Sequence, residues 1–406
     1  MAKNVEWIDA QIKKISFLIG NKEILLGANK VPVLPMFSPK VVYFLNELSK
    51  QLRQNPKTRE LEDILSYAFW VRKASIEKEK QNHINTDKRI GRGMTYHITP
   101  SNVPINFAVS MTSALLAGNS CVIRVSNKKF EQVEIVCKEI KQLLMNECKN
   151  LAPYICIIRY EHDHEVTQML SDMCDVRIIW GGNQTIQLIR KALLPPRAIE
   201  MAFADRYSIA IINADKYLCE DQEKVAKDFY TDTYYSDQNA CSSPRLVVWL
   251  GCNKENARKR FWTSLENLVK RRYQLHPIQS IDKLDSFCKL SAMCMENGGN
   301  GIRLKENDNY LYRIEVDKLR EDIMQYKDGG GYFFEYLADS IEEIVPILGK
   351  TCQTVSVLGV DTDCVRELVY QYGVHGVDRI VSVGKTMELS FRWDGYDMIE
   401  TMSRII

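Results

Sequence analysis

The sequence predicts an α/β fold with two largely parallel-sheet domains and a helical N-terminal region. Three observations predict it. Strand-like and helix-like runs alternate almost throughout from Met94 to Val381. The stretch Gly91–Asn127 reads by itself as a strand, a polar loop, a helix and a second strand. Ahead of it, residues 1–90 carry apolar residues at helical spacing.

In the first ninety residues, Ser38-Pro39 reads as an N-cap and first helical position, with Val41, Val42, Phe44, Leu45 and Leu48 behind it. A second helix is expected from about Thr58, on Leu61, Ile64, Leu65, Ala68 and Phe69. The charge-rich run Arg72–Lys80 reads as a solvated helix face.

In GRGMTYHITPSNVPINFAVSMTSALLAGNSCVIRVSN, Met94–Ile98 reads as a strand and Thr99–Pro104 as a turn restricted by its prolines. Ile105–Leu116 is an expected helix of small apolar residues, closed by Gly118-Asn119. Cys121–Val125 is a buried-strand run. The ligand edge of such a unit lies at the strand C-termini. The alternation continues with a helix over Phe130–Cys148, a strand over Tyr154–Arg159 and a helix over Glu165–Met173. A strand over Val176–Trp180 then ends at Gly181-Gly182, ahead of a helix over Asn183–Leu194. Strand, glycine and helix suit a backbone approaching a phosphate. On local pattern alone, a tight turn is the more ordinary reading of the glycine pair. Pro195-Pro196 leads into two extended pieces, Ala198–Phe203 and Ser208–Ile212, with a domain change near residue 205.

An amphipathic segment, Lys224–Tyr235, runs into the polar stretch YSDQNACSSPR and a strand-like run, Leu246–Leu250. Cys241 thus falls at an element junction. A catalytic thiol needs access, a lowered pKa and donors aimed at an oxyanion. The competing local reading is a small buried apolar residue, as most cysteines are. A helix over Glu255–Arg272 follows, and residues 273–330 look less regular. GGNG at Gly298–Gly301 and GGG at Gly329–Gly331 mark turns. Tyr332–Tyr336, Thr354–Leu358 and Asp378–Val381 read as strands, with helices over Ile341–Leu348 and Cys364–Tyr372. The last twenty or so residues look irregular, with a turn at Trp393-Asp394-Gly395.

The 406 residues suffice for two or three domains. A formal net charge of +2 gives no nucleic-acid or membrane-surface footprint. The segment MAKNVEWIDAQIKK has no apolar signal core, and no run approaches the roughly 18 apolar residues of a membrane span. The twelve cysteines are therefore expected as free thiols in a cytoplasmic protein. No CxxC pair is present, and His162-Asp163-His164 lacks a further ligand cluster, so no metal site is expected. Trp180, Trp249 and Trp262 read as packing residues.

Several stretches, in order, resemble one superfamily. HITPSNVP at His97–Pro104 resembles the TPWNFP turn of aldehyde dehydrogenases, and AGNSCVIRVSN at Ala117–Asn127 resembles their AGN-strand-KPSE segment. VRIIWGGN at Val176–Asn183 resembles the strand-plus-glycine stretch that meets the nicotinamide half of the cofactor. SDQNAC at Ser236–Cys241 resembles the nucleophile motif. GVDRIVSVGKTMELSFRWDGYDMI at Gly376–Ile399 resembles the signature end of LuxC-type acyl reductases, the fatty-acid reductase subunits of bacterial luminescence systems.

The resemblance implies an aldehyde dehydrogenase-like fold of two Rossmann-like domains. It places a helical region at 1–90, an NADP-binding domain at 91–204, a catalytic domain at 205–372 and the signature segment at 373–406. It makes Cys241 the nucleophile that takes up an acyl group as a thioester and Asn102 the oxyanion-hole amide. Without it, Asn102 reads as a turn residue bonding its own backbone. It sets Thr99, Pro100, Ser101, Arg124, Ser126, Gly181 and Gly182 around the cofactor. Asn127 stands where NAD-preferring relatives carry a ribose-binding glutamate, and Arg124 with Lys128 would attract a 2′-phosphate. NADPH is therefore expected, with NADH as the alternative; ordinary surface charges are the competing reading. The ELGGK run is not preserved; Glu200 is the nearest carboxylate. The implied reaction is NADPH-dependent reduction of an acyl-CoA or acyl-protein thioester to an aldehyde. The implied partners are an acyl-activating ligase resembling LuxE and further copies of the same chain. The rivals are a hydrolytic aldehyde dehydrogenase and a catalytically silent subunit of an acyl-transfer complex.

Overall fold

The computed structural model describes residues 5–296, 301–305 and 308–406. The chain divides into two compact units, one of residues 1–204 with 389–406 and one of residues 205–388. Of the expected turn at Gly298–Gly301, residues 298–300 lie outside the described residues. No helix among the described residues is long and apolar enough to cross a membrane.

The first unit holds strands β1 (Ser16–Ile19), β2 (Arg89–Gly91), β3 (Met94–Ile98), β4 (Ser120–Arg124), β5 (Ile155–Arg159), β6 (Val176–Trp180) and β7 (Ile199–Phe203). Six of them form a sheet in the order β1-β5-β4-β3-β6-β7, parallel except at β1. From β3 onward the chain builds outward through β4 and β5, then returns to lay β6 and β7 on the other side of β3. This is the strand order of a dinucleotide-binding sheet, and its reversal lies between β3 and β6. Both faces are covered, as a parallel sheet requires. Tyr96, Val122 and Ile158 enter one core, while Ile123, Ile157 and Ile178 enter the other with the helices Pro39–Gln54 and Asn106–Leu116.

The second unit holds β8 (Tyr207–Asn213), β9 (Pro244–Leu250), β10 (Ile302–Leu304), β11 (Tyr312–Val316), β12 (Tyr332–Leu337), β13 (Cys352–Leu358) and β14 (Arg379–Ser382). They form one sheet in the order β10-β11-β12-β9-β8-β13-β14, with only β10 antiparallel. Strand residues alternate between two cores: Ile209, Ile211, Leu246 and Val248 on one face, Ala210, Ile212, Val247 and Trp249 on the other. A buried ion network crosses β11 and β12, where Arg258 meets Glu315 at 2.5 Å and Glu335 at 2.9 Å.

Residues 389–406 belong to the first unit. A two-residue hairpin joins β15 (Arg392–Trp393) to β16 (Tyr396–Asp397), with Asp394 and Gly395 at φ 49° and 74°. A short helix, Met398–Thr401, leads to β17 (Ser403–Ile405), which pairs with β2. Asn119 fixes this return: its amide donates to the Met402 carbonyl at 2.9 Å, while its oxygen takes the Arg92 and Gly93 N–H groups. The segment is thus ordered where irregularity was expected, because its partners are distant in sequence.

Other differences have local causes. The second N-terminal helix spans Glu62–Trp70, after a 3₁₀ turn over Pro56–Glu60 capped by Asn55. Phe69 is exposed rather than packed. The helix expected to reach Leu194 spans Asn183–Ile189, because Arg177 takes the carbonyls of Ile189 and Ala192. The run Ile341–Ile347 is 3₁₀, with Pro346 inside and a Ser340–Glu343 capping box. The stretch expected to be irregular contains a helix over Pro277–Glu296. Its apolar stripe of Ile278, Ile281 and Leu284 is exposed, so periodicity and burial disagree there.

Candidate active site

In the first unit, the loops after β3 and β6 flank the strand reversal. Thr99 begins the first loop: its N–H and hydroxyl both donate to the Arg124 carbonyl, at 3.1 and 3.0 Å, locking the ends of β3 and β4 together. Pro100 is half-buried, and Ser101 and Asn102 are exposed in the turn that precedes the helix Asn106–Leu116. On the β6 side, the Gly181 N–H donates to Phe203 at 3.2 Å. A Cβ on Gly181 would press on Thr185 at 3.2 Å, whereas one on exposed Gly182 would meet nothing within 4 Å. The backbone at Gly182 is open to close approach.

Arg124 is buried, its guanidinium donating twice to the Tyr160 carbonyl and lying over that ring at 4.8 Å. Ser126 accepts the Lys128 N–H at 3.2 Å, and Lys128 is exposed. Glu200 sits on β7 and is held by Arg177 at 2.5 Å and Arg190 at 2.7 Å. Both oxygens of this carboxylate are engaged by guanidinium groups.

In the second unit, Cys241 lies in the loop between the helix Gln222–Asp232 and β9, at the amino ends of the parallel strands. The loop turns through Asp237 and Gln238, both left-handed at φ 52° and 57°. Asp237 accepts the Tyr273 hydroxyl at 2.7 Å, and its carbonyl takes the Gly330 N–H at 2.8 Å. Gln238 is fully buried and uses both ends of its amide. Its nitrogen donates to the Pro244 and Tyr332 carbonyls at 2.9 and 3.1 Å; its oxygen takes the Gly331 and Tyr332 N–H groups at 3.0 and 3.1 Å. Gly331 is required here: a Cβ would lie 2.3 Å from the Tyr310 carbonyl oxygen, at φ 92°. The glycines thus let the β12 end close onto the cysteine loop.

Cys241 itself is half-buried. The Ser208 hydroxyl donates to its carbonyl at 2.7 Å, and the Gln353 amide nitrogen lies 3.1 Å from its sulfur. Arg245 is buried, and burial pushes its pKa down to about 10. The charges of Asp328, Asp205 and the Cys241 thiolate favour its cationic form.

All twelve cysteines are free thiols. Burial pushes Cys156, Cys174 and Cys352 up to about 12, which marks them as inert. Cys219, Cys252, Cys288 and Cys364 are exposed. Cys241 differs by combining partial access with an amide donor.

In His162-Asp163-His164, Asp163 caps the helix His164–Met173 and pairs with Lys14 at 2.7 Å. A group that sequence spacing hides is His83 with Asp397 and Glu400. It forms an ion cluster: His83 also meets Glu79 at 3.2 Å, and Arg392 meets Asp397 at 3.2 Å. Sequence reasoning also passed over Ser208, Arg245 and Gln353. Their signal was a polar residue inside or beside an apolar strand run, which burial makes informative. Trp180, Trp249 and Trp262 are buried packing residues.

The curated relatives include a long-chain acyl-protein thioester reductase of Aliivibrio fischeri, 26% identical over 322 residues, covering 78% of this chain and 63% of the relative. One of the same name from Photobacterium phosphoreum is 23% identical over 327 residues, covering 79% and 62%. The chain therefore spans less than two thirds of the length of these relatives. Among solved structures, aldehyde dehydrogenase 21 of Physcomitrella patens superposes with a TM-score of 0.66 at 11% identity, covering 98% of this chain and 89% of that one. A benzaldehyde dehydrogenase of Corynebacterium glutamicum gives 0.65 at 12%, covering 94% and 88%. The fold is thus that of aldehyde dehydrogenases. The acyl-CoA reductase (LuxC) family matches residues 25–405, and on that match across nearly the whole sequence the chain belongs to this family.

Proposed function

We propose that this chain reduces an activated long-chain acyl thioester to the aldehyde through a thioester on Cys241. The observation that carries this reading is the setting of Cys241. It is a half-buried thiol in a loop clamped by Gln238, with an amide donor on its sulfur and a buried guanidinium nearby. The curated relatives are named for acyl-protein thioesters, and either such a carrier or acyl-CoA suits a thiol nucleophile.

The cofactor fit rests on the first unit. Its strand order, the open backbone at Gly182 and the loop Thr99–Ser101 at the reversal suit a nicotinamide dinucleotide. Arg124 is engaged by Tyr160, so exposed Lys128 is the cation assigned to a 2′-phosphate, which favours NADPH. Bound there, the dinucleotide supplies a hydride.

The Cys241 sulfur attacks the acyl carbonyl and raises a tetrahedral oxyanion. Collapse breaks the bond to the carrier sulfur, which leaves with the electron pair and the proton given up by Cys241. After reduction, the electron pair of the carbon–sulfur bond returns to Cys241 and the aldehyde departs. Glu200, tied to Arg177 and Arg190, supplies no free carboxylate for a hydrolytic route. If the ultimate substrate is a free acid, a separate acyl-activating ligase supplies the thioester.

Peptide mass spectrometry after incubation with hexadecanoyl-CoA tests this reading. The expected result is a hexadecanoyl adduct on Cys241 that persists until NADPH is added and then yields hexadecanal. An adduct on another cysteine, or free acid released without NADPH, overturns it.

A further inference from the structure

Strand pairing around Ser208 is irregular on both sides. On β13, Cys352 pairs with Tyr207 and Val355 with Ile209, so one extra residue is accommodated at Gln353-Thr354. On β9, Pro244 pairs with Ser208 and Leu246 with Ile209, so Arg245 is extra. Bulges re-aim side chains and recur beside active sites. Here the two bulged strands flank the residue whose hydroxyl holds the Cys241 carbonyl. They carry the amide that meets the Cys241 sulfur and the guanidinium coupled to it.

The orientation of the Gln353 amide is set by its neighbours. Its oxygen accepts the Thr354 hydroxyl at 3.3 Å, which turns the nitrogen to the sulfur. The Gln353 carbonyl takes the Asp378 N–H at 2.9 Å, and the Thr354 N–H donates to Ser208 Oγ at 3.1 Å. Gln353 is fully buried in a place where a neutral polar side chain needs a partner. Of the charged groups here, Arg245 couples to the thiol, and Asp205 and Asp328 couple to Arg245. Arg206 and Asp378 pair with each other beside Cys352.

We propose that Gln353 is a catalytic residue: its amide N–H stabilises the Cys241 thiolate before attack, and its inability to accept a proton leaves the acyl-enzyme without a base at the sulfur. The inference rests on Cys241 being the nucleophile. Once the sulfur–carbonyl bond has formed, hydrolysis would need a water to lose its proton as it attacks the carbonyl. An amide cannot take that proton, whereas a carboxylate in its place would. The same side chain therefore favours acylation and disfavours loss of the acyl group to water.

The test is the pH dependence of iodoacetamide alkylation of the full chain, read at each cysteine by peptide mass spectrometry. In the wild type, the Cys241 midpoint should lie below those of exposed Cys219 and Cys364 in the same molecules; a midpoint equal or higher overturns the proposal. Gln353→Met keeps the bulk and removes the donor, and should raise the midpoint by about one pH unit, slowing alkylation at neutral pH about tenfold. Gln353→Glu should raise it too and should release hexadecanoic acid from hexadecanoyl-CoA without NADPH. A folded Gln353→Met with an unchanged midpoint, or a Gln353→Glu that stays acylated, overturns the proposal. Absence of any Cys241 adduct in the wild type would instead remove the functional reading beneath it.

Discussion

Gln238→Leu should destabilise the second unit while preserving side-chain bulk. The wild-type amide makes four hydrogen bonds, two donated and two accepted, and all its partners are backbone groups of Pro244, Gly331 and Tyr332. Each is worth about 1 kcal/mol net, and the backbone groups left behind are far from water, so the expected loss is about 3–4 kcal/mol. Against a typical stability of roughly 5–15 kcal/mol this is a large fraction. Urea unfolding followed by emission from buried Trp249 and Trp262 reads it directly. Gln238→Glu retains the acceptors but sets a buried carboxylate oxygen against the Pro244 and Tyr332 carbonyls, so it should lose at least as much as Leu. The same variants should alkylate faster at Cys241, because the loop is released from β12. A loss below about 1 kcal/mol for Gln238→Leu would refute the view that this amide clamps the Cys241 loop.

His83 gives a pH signature. Burial pushes its imidazole down, but hydrogen bonds to Glu79 and Glu400 and the Asp397 charge win, so the pKa is raised above its ordinary 6.5. A raised histidine contributes stability that is full below 6.5 and is lost as pH rises through the folded-state value. Melting of the first unit should therefore fall as pH rises above 6.5, and His83→Gln should flatten the slope; an unchanged slope counts against the cluster. Arg258→Met should cost about 3–5 kcal/mol in urea unfolding, because Glu335 and Glu315 would keep buried charges without their main partner. Gly331→Ala, driven into the Tyr310 carbonyl at a left-handed φ, should cost roughly 3 kcal/mol by the same measurement. Lys128→Glu should reduce the kcat/KM ratio of NADPH over NADH about tenfold; an unchanged ratio would remove Lys128 from the cofactor site.

Much of the fold could be read from the chain because its strands are short apolar runs between turn residues. β3 and β6 fall where Met94–Ile98 and Val176–Trp180 predicted them, since both faces of a parallel strand are buried and the apolar run is nearly continuous. The helix Pro277–Glu296 was hidden for the opposite reason. Ile278, Ile281 and Leu284 in its first half face solvent, while buried Lys283 donates to the Asn309 and Gly330 carbonyls and Leu290 enters the core. The cysteine loop was visible as a motif, but its supports were not. Gln353 looks from sequence like one polar residue at the start of a strand, and only the extra residue in the β13 register aims it at sulfur. Arg124 shows the converse: its residue type suggested an anion partner, yet neighbouring Tyr160 supplies a carbonyl and a ring.

The pairing of β17 with β2 makes the first unit discontinuous in sequence, whereas the second is one uninterrupted segment, residues 205–388. On the ribosome, the second unit can complete its sheet as soon as its own residues have emerged. The first must wait, with Asn119 and the edge of β2 lacking their final neighbours, until Met402 and Ser403 arrive. A stop codon placed just after residue 388 would therefore damage the half of the protein that was translated earliest.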